Sequence, residues 1–312
     1  MEFGTLVGGL MSKAEELFNI WKKEKHISDV WIKYLKNVKG VTQEDVNGFL
    51  KLVGEREKEW IDHMLGKFVS LVLEMCYKGR FIELDVGLVD GKICVGEGLD
   101  WEGDIYVRGD VRTNVGYGMK KGVIIIEGDV GGYVGASMKG GFVYAIGNVS
   151  KGAGAWMKGG VIYVDGNIKE DVGYYMEGGK VFVNGNVGEH VGNHMKGGII
   201  IVQGNVGGYI GFWMEGGNVI VYGDVNDGVG WWMKGGMIVV NGNVAGSVSV
   251  SMTNGTIVIN GNVDSGICID TTGGNVIING KANISDQLTL MWNLQDVVVA
   301  CDGIWYFSRW SE

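Results

Sequence analysis

Proline is absent from the whole 312-residue chain, and arginine occurs only as Arg56, Arg80, Arg108, Arg112 and Arg309. With no proline, 57 periodically placed glycines and apolar residues making up 46% of the chain, the sequence is neither collagen-like nor disordered. Residues 119–280 contain no arginine, so that stretch offers no bidentate clamp for a phosphate or carboxylate. The formal charge of −9 points the same way, because non-specific nucleic-acid binding needs a basic surface. No nucleic-acid partner is expected. Cysteine is sparse: Cys76, Cys94, Cys268 and Cys301 are scattered without a CxxC pair and read as buried thiols in a reducing compartment. Long apolar runs are missing too, so no membrane span is expected, and residues 1–10 lack the basic start and apolar core of a signal peptide. These absences predict a cytoplasmic protein with no membrane partner.

What the chain does contain is one phrase, first clear at residues 138–149: a Met, a charged residue, two glycines, an alternating apolar run, then Gly-Asn-Val. It returns every 19 residues, with Met119, Met138, Met157, Met176, Met195, Met214, Met233 and Met252 in its first place and Thr271 in a ninth, degraded copy. Five and seven residues after each Met the side chains are almost all β-branched, from Ile124 and Ile126 to Val276 and Ile278. Period two with β-branched residues predicts a strand with that face inward. A repeat this short cannot bury its own apolar face, so the copies must stack as rungs of a solenoid. Nine rungs at roughly 4.8 Å give a rod about 40 Å long.

The glycine nine residues after the Met (Gly128, Gly147 and onward to Gly280) never varies, and Asn or Asp follows it in every full copy. A corner needing positive φ or close backbone approach explains both preferences. Asp129 and Asp224 therefore read as members of a corner ladder with Asn148, Asn167, Asn186, Asn205 and Asn243, and not as acid–base catalysts. Lys158, Glu177, Lys196, Glu215 and Lys234 alternate in sign immediately after the Met, as stacking on a solvated face requires.

The pattern GxxxGxxMKGGxIxVxGNV, clearest at residues 131–149 and 188–206, resembles the GXGXG repeat family. That family includes the C-terminal domain of the glutamate synthase large subunit and one of the subunits of the formylmethanofuran dehydrogenases. The resemblance covers roughly residues 103–285 and implies a mainly β fold, a right-handed single-stranded β-helix. It implies a scaffold without catalytic residues of its own, so no cofactor is expected. The implied roles are a non-catalytic interaction module or, alternatively, a structural subunit of a larger redox or amidotransferase complex.

Outside the repeats, residues 1–10 read as an extension before an alternative start at Met11, and 11–80 as an α-helical segment. Ser12 with Glu15 and Thr42 with Asp45 read as capping boxes of helices expected to reach about Val38 and, with a break near Gly66, Tyr77. Residues 81–118 read as a hairpin turning at Asp90-Gly91 followed by a first incomplete rung, 119–286 as the repeats, and 287–312 as a C-terminal cap turning at Asp302-Gly303.

Candidate chemistry is thin. His190 and His194 stand four apart and are weak candidates for a metal, because they span a rung corner and no third ligand shares their columns. Two columns point outward. One, from Ile125 through Tyr144, Tyr163 and Phe182 to Ile277, is an apolar stripe expected to be covered by the first helix. The other immediately precedes the Met: Trp156, Tyr175, His194, Trp213 and Trp232 form an aromatic series on five consecutive rungs. Such a series stacks for structural reasons, or it serves a protein partner or a second copy of the chain.

Overall fold

A computed structural model describes residues 12–23, 32, 35–56, 63–77, 79–89, 93–267, 270–282, 297–301 and 304–308. The protein is mainly β: a parallel β-solenoid of about ten turns with rungs 19 residues apart, preceded by helices. One sheet of 13 strands runs the length of the solenoid, starting with the strands at Phe81–Asp85, Asp104–Arg108, Val123–Glu127 and Phe142–Ala145. Its register repeats the sequence period, as in Val123 opposite Phe142 and Ile200 opposite Val219. Burial follows the predicted parity. Ile124, Ile126, Val219 and Val221 are fully buried, and so is every repeat Met from Met119 to Met252. A second sheet, formed by Val149–Ala153, Ile168–Val172 and Val187–Val191, lies on another side of the middle rungs. Single parallel bridges such as Val206–Val225 and Val225–Val244 continue that side.

The corner after each strand works differently from one half of the expectation. Gly128, Gly147, Gly166 and Gly185 do not adopt positive φ, so conformational freedom is not what they supply. They supply space, since a Cβ on Gly185 would lie 2.5 Å from the Gly166 carbonyl oxygen. Close approach lets the corner amides form an unbroken ladder: the Asn186 N–H donates to Asn167 Oδ1 at 2.8 Å, Asn205 to Asn186 at 2.7 Å, and Asp224 to Asn205 at 2.8 Å. Asp129 and Asp224 are acceptors in this ladder, at 2.7 Å from the N–H groups of Asn148 and Asn243. Positive φ falls instead on the second glycine of each pair, for example Gly141 at 85° and Gly198 at 93°. In the charged column Lys158 pairs with Glu177 at 3.4 Å.

The described helices are α1 (Lys13–Lys23), α2 (Gln43–Arg56) and α3 (His63–Met75). Both caps form: the Glu15 N–H donates to Ser12 Oγ at 3.2 Å, and the Thr42 N–H to Asp45 Oδ2 at 2.9 Å. Trp21, Phe49 and Phe68 build a shared core, with ring centroids 6.2 and 5.3 Å apart along that series. Among the described residues, the helices do not lie along the outward stripe, whose residues stay half-buried from Ile125 to Ile277. They close the first end of the solenoid. Asn47 Nδ2 donates to the Glu83 carbonyl at 2.9 Å, and the Glu83 N–H donates to Gln43 Oε1 at 3.3 Å. Two side chains one helical turn apart on α2 thus satisfy both polar groups of one residue on the open edge strand, which blocks edge-to-edge pairing. Glu74 of α3 accepts from the Asp100 N–H at 2.8 Å, and burial raises its pKa.

The expected hairpin at Asp90-Gly91 is corrected, although that dipeptide lies outside the described residues. The strand Phe81–Asp85 pairs in parallel with Asp104–Arg108 and runs into a 3₁₀ turn at Val86–Val89, while Ile93–Val95 is not a strand. Gly96 and Gly98 take the positive φ of Gly116 and Gly118, and buried Leu99 takes the place of Met119. The repeat therefore begins one rung earlier than its Met suggests. At the other end Val297–Cys301 adds in parallel to the sheet, and Ile304–Ser308 pairs antiparallel with it, with Cys301 opposite Ile304. These two strands fall where a cap was expected; Leu288–Trp292, Asp302-Gly303 and Trp310 lie outside the described residues.

Burial pushes the Cys76 thiol up to about 11, as for an inert core thiol, and Cys94 is also buried. Among the described residues, no helix is long and apolar enough to cross a membrane.

Candidate interaction surface

Each rung makes its tight corner with two left-handed residues separated by one other. In the rung ending at Met214 these are Gly211 at φ 67° and Trp213 at φ 55°. The second place is left-handed in many consecutive rungs: Gly118, Ser137, Trp156, Tyr175, His194, Trp213, Trp232, Ser251 and Asp270 have φ between 51° and 63°. Glycine fits there freely and Asp tolerates it, whereas a bulky side chain costs about 1–2 kcal/mol. Five rungs nevertheless carry an aromatic ring or imidazole.

Four of those five side chains form a stacked series, and the fifth, Trp156, meets the neighbouring Tyr174 edge-on. Tyr175 and His194 stack with centroids 4.5 Å apart and planes within 5°, His194 and Trp213 at 6.4 Å and 3°, Trp213 and Trp232 at 5.8 Å and 8°. A second row, one residue earlier, meets the first edge-on: Tyr174 on Trp156 at 5.6 Å and Phe212 on Trp232 at 5.0 Å. Trp231 is tied by its Nε1–H donating to the Ser247 carbonyl at 3.0 Å, and Lys234 Nζ sits 4.8 Å from the Trp213 ring centre. Most of these rings are half-buried by one another; Trp156, at the end of the row, is 43% exposed.

His190 and His194 have separate partners. His190 Nδ1 lies 3.5 Å from Asp171 Oδ1 and its ring stacks on Tyr209, whereas His194 is a rung of the aromatic row. Among the described residues, no three His, Cys, Asp or Glu side chains converge as metal ligands. Nothing in the sequence marks the Asp171–His190 pair. Its column reads Tyr133, Gly152, Asp171, His190, Tyr209, with no common chemistry, although four of the five share positive φ.

Burial lowers the pKa of His194 from its ordinary 6.5, with Lys234 adding to the effect and Glu215 opposing it. A depressed folded-state value means that the unfolded chain takes the proton first. The stability His194 lends is complete above pH 6.5 and declines as pH falls below it, levelling off beneath the folded pKa. His194→Phe is expected to remove this part of the pH dependence of melting while keeping the stack. An unchanged profile between pH 7 and the folded pKa, read by thermal denaturation against wild type, would refute the assignment.

Comparison with models of known protein families and with curated proteins finds no match. The class defined by the structure is that of a parallel β-solenoid with a helical cap on its first end.

Proposed function

We propose that the protein is a cytoplasmic, non-catalytic scaffold whose aromatic row on five rungs is a protein-binding face. One observation carries this reading: the corner closes equally well with Gly118, Ser137 or Ser251, yet Trp156, Tyr175, His194, Trp213 and Trp232 accept left-handed backbone in the same place. Strain kept where the fold does not require it points to use. Stacking returns about 0.5–1.5 kcal/mol per ring pair, so the row is tolerable without being needed for closure. Large rigid rings with little side-chain entropy to lose are what binding faces concentrate.

The occupant assigned is a second copy of the chain, because a row of parallel rings can pair with its own two-fold mate. Sedimentation velocity on the full chain is expected to show a dimer that the Trp213→Ala/Trp232→Ala variant loses with little change in melting temperature. A monomeric wild type, or a dimer surviving the double substitution, overturns the assignment. The repeat phrase supports a second reading, a structural subunit of a larger redox or amidotransferase assembly. Purification from the native cell with associated flavin, metal or iron–sulfur protein would favour it over the dimer.

A further inference from the structure

Where the aromatic row ends at Trp156, the surface opens into a cleft of 410 Å³ lined by Tyr133, Lys151, Trp156, Glu170, Asp171, Tyr174, His190 and Asn193, among others. It is built from four consecutive rungs. Lys151 and Glu170 face each other across the register of the short sheet, and Asp171 and His190 follow on positive-φ backbone, at 59° and 58°. The cleft exists because Gly152 interrupts the outward column. A Cβ at that position would lie 2.6 Å from the ring of Tyr133, which leans over the gap.

Three features of the lining select the same kind of occupant. Two carboxylates face one ammonium: Lys151 Nζ is 3.5 Å from Asp171 Oδ2 and 3.8 Å from Glu170 Oε1, longer than a direct charge-assisted hydrogen bond, with the lysine side chain 42% exposed. Lys151 is a partly exposed cation whose pKa Glu170 and Asp171 raise, so an occupant competes with it for the same carboxylates. The aromatic side chains of Tyr133, Trp156 and Tyr174 stand in the walls, where a cation finds rings to pack against. Asn193, only 8% exposed, stands in a column otherwise filled by Ala155, Tyr174, Phe212 and Trp231, and its Oδ1 has no donor. Such a buried acceptor calls for an N–H from an occupant. With no arginine in the repeats, the lining has no bidentate fork for an anion, and its one lysine already faces two carboxylates.

We infer that this cleft binds an organic cation, a guanidinium or alkylammonium head on an apolar stem, which displaces the Lys151 ammonium from Asp171 and Glu170. The assignment does not depend on the aromatic row being a protein interface, since a small molecule suffices to fill the cleft.

Isothermal titration of the full-length protein with N-butylguanidinium chloride tests it, with sodium butyrate and maltose as the anionic and neutral controls. Wild type is expected to bind the cation saturably and neither control. Lys151→Met removes the internal competitor and is expected to tighten binding severalfold. Asp171→Asn, which keeps a residue tolerant of positive φ, is expected to weaken it about tenfold. Trp156→Ala is expected to weaken it about threefold. A short peptide with a central arginine separates the sources: tighter binding than butylguanidinium assigns the head group to a partner's side chain, weaker binding to a free ligand. No saturable heat, equal binding of maltose or butyrate, or Lys151→Met and Asp171→Asn shifting affinity in the same direction overturns the inference. Unchanged circular dichroism of each variant excludes misfolding as the cause.

Discussion

Gly185→Ala is expected to destabilise the protein by about 3 kcal/mol or more, at the upper end of what overpacking costs. The added methyl would stand 2.5 Å from the Gly166 carbonyl oxygen and 2.6 Å from Asn167 Oδ1, and neither can withdraw freely. Asn167 Oδ1 accepts the Asn186 N–H at 2.8 Å, while the Gly185 carbonyl itself accepts the Gly204 N–H at 3.2 Å. Relieving the clash therefore breaks ladder bonds on both neighbouring rungs. Gly118→Ala is the control. Gly118 has φ 63° but nothing within 4 Å of an added Cβ, so only the conformational cost of about 1 kcal/mol applies. Urea denaturation of the two variants compares space with conformation directly. Equal losses would mean that close approach is not what the corner glycine provides.

Met195→Ala is expected to cost about 2–5 kcal/mol, and Met195→Leu less than about 1.5 kcal/mol. Met195 is fully buried, and its Cε packs so close to Gly217 of the next rung that a Cβ there would lie 2.7 Å away. Truncation leaves a void touching two rungs whose backbones are fixed by parallel pairing and cannot collapse into it. The degraded ninth copy supports this account. Thr271 replaces the Met, is 1% exposed, and its hydroxyl partners Ser249 Oγ at 3.2 Å, Ser249 standing where other rungs have a glycine. A buried hydroxyl needs that partner, so the two departures from the repeat belong together. Loss of less than about 1 kcal/mol in Met195→Ala, measured by the same denaturation, would show that the core relaxes around the Met column.

Periodicity makes most of the solenoid readable from the sequence. Alternation of Ile200 and Val202 with outward Ile201 leaves one inward register, because slipping by one residue would expose the β-branched set. The corner ladder is readable for a similar reason: one side chain at one spacing repeats until only stacking explains it. The hairpin expected at residue 90 rests on the same kind of local pattern and fails there. Two apolar runs around Asp-Gly look like a hairpin, but the strand Phe81–Asp85 finds a longer parallel partner at Asp104–Arg108, and that pairing extends the sheet.

By itself the sequence determined the rung: its length, its inward face and its place in a stack, since each of these follows from spacing along one chain and from the need to bury apolar surface. The tertiary structure alone decided what spacing does not encode. It sent α2 to the open edge at Glu83, where unpaired backbone polar groups needed Gln43 and Asn47. It placed Trp213 and its neighbours on left-handed backbone, and it brought Lys151, Asp171 and His190 from three rungs into one cleft. Those side chains lie about a rung apart in sequence and share no pattern, so only the stacking of one turn on the next makes them neighbours.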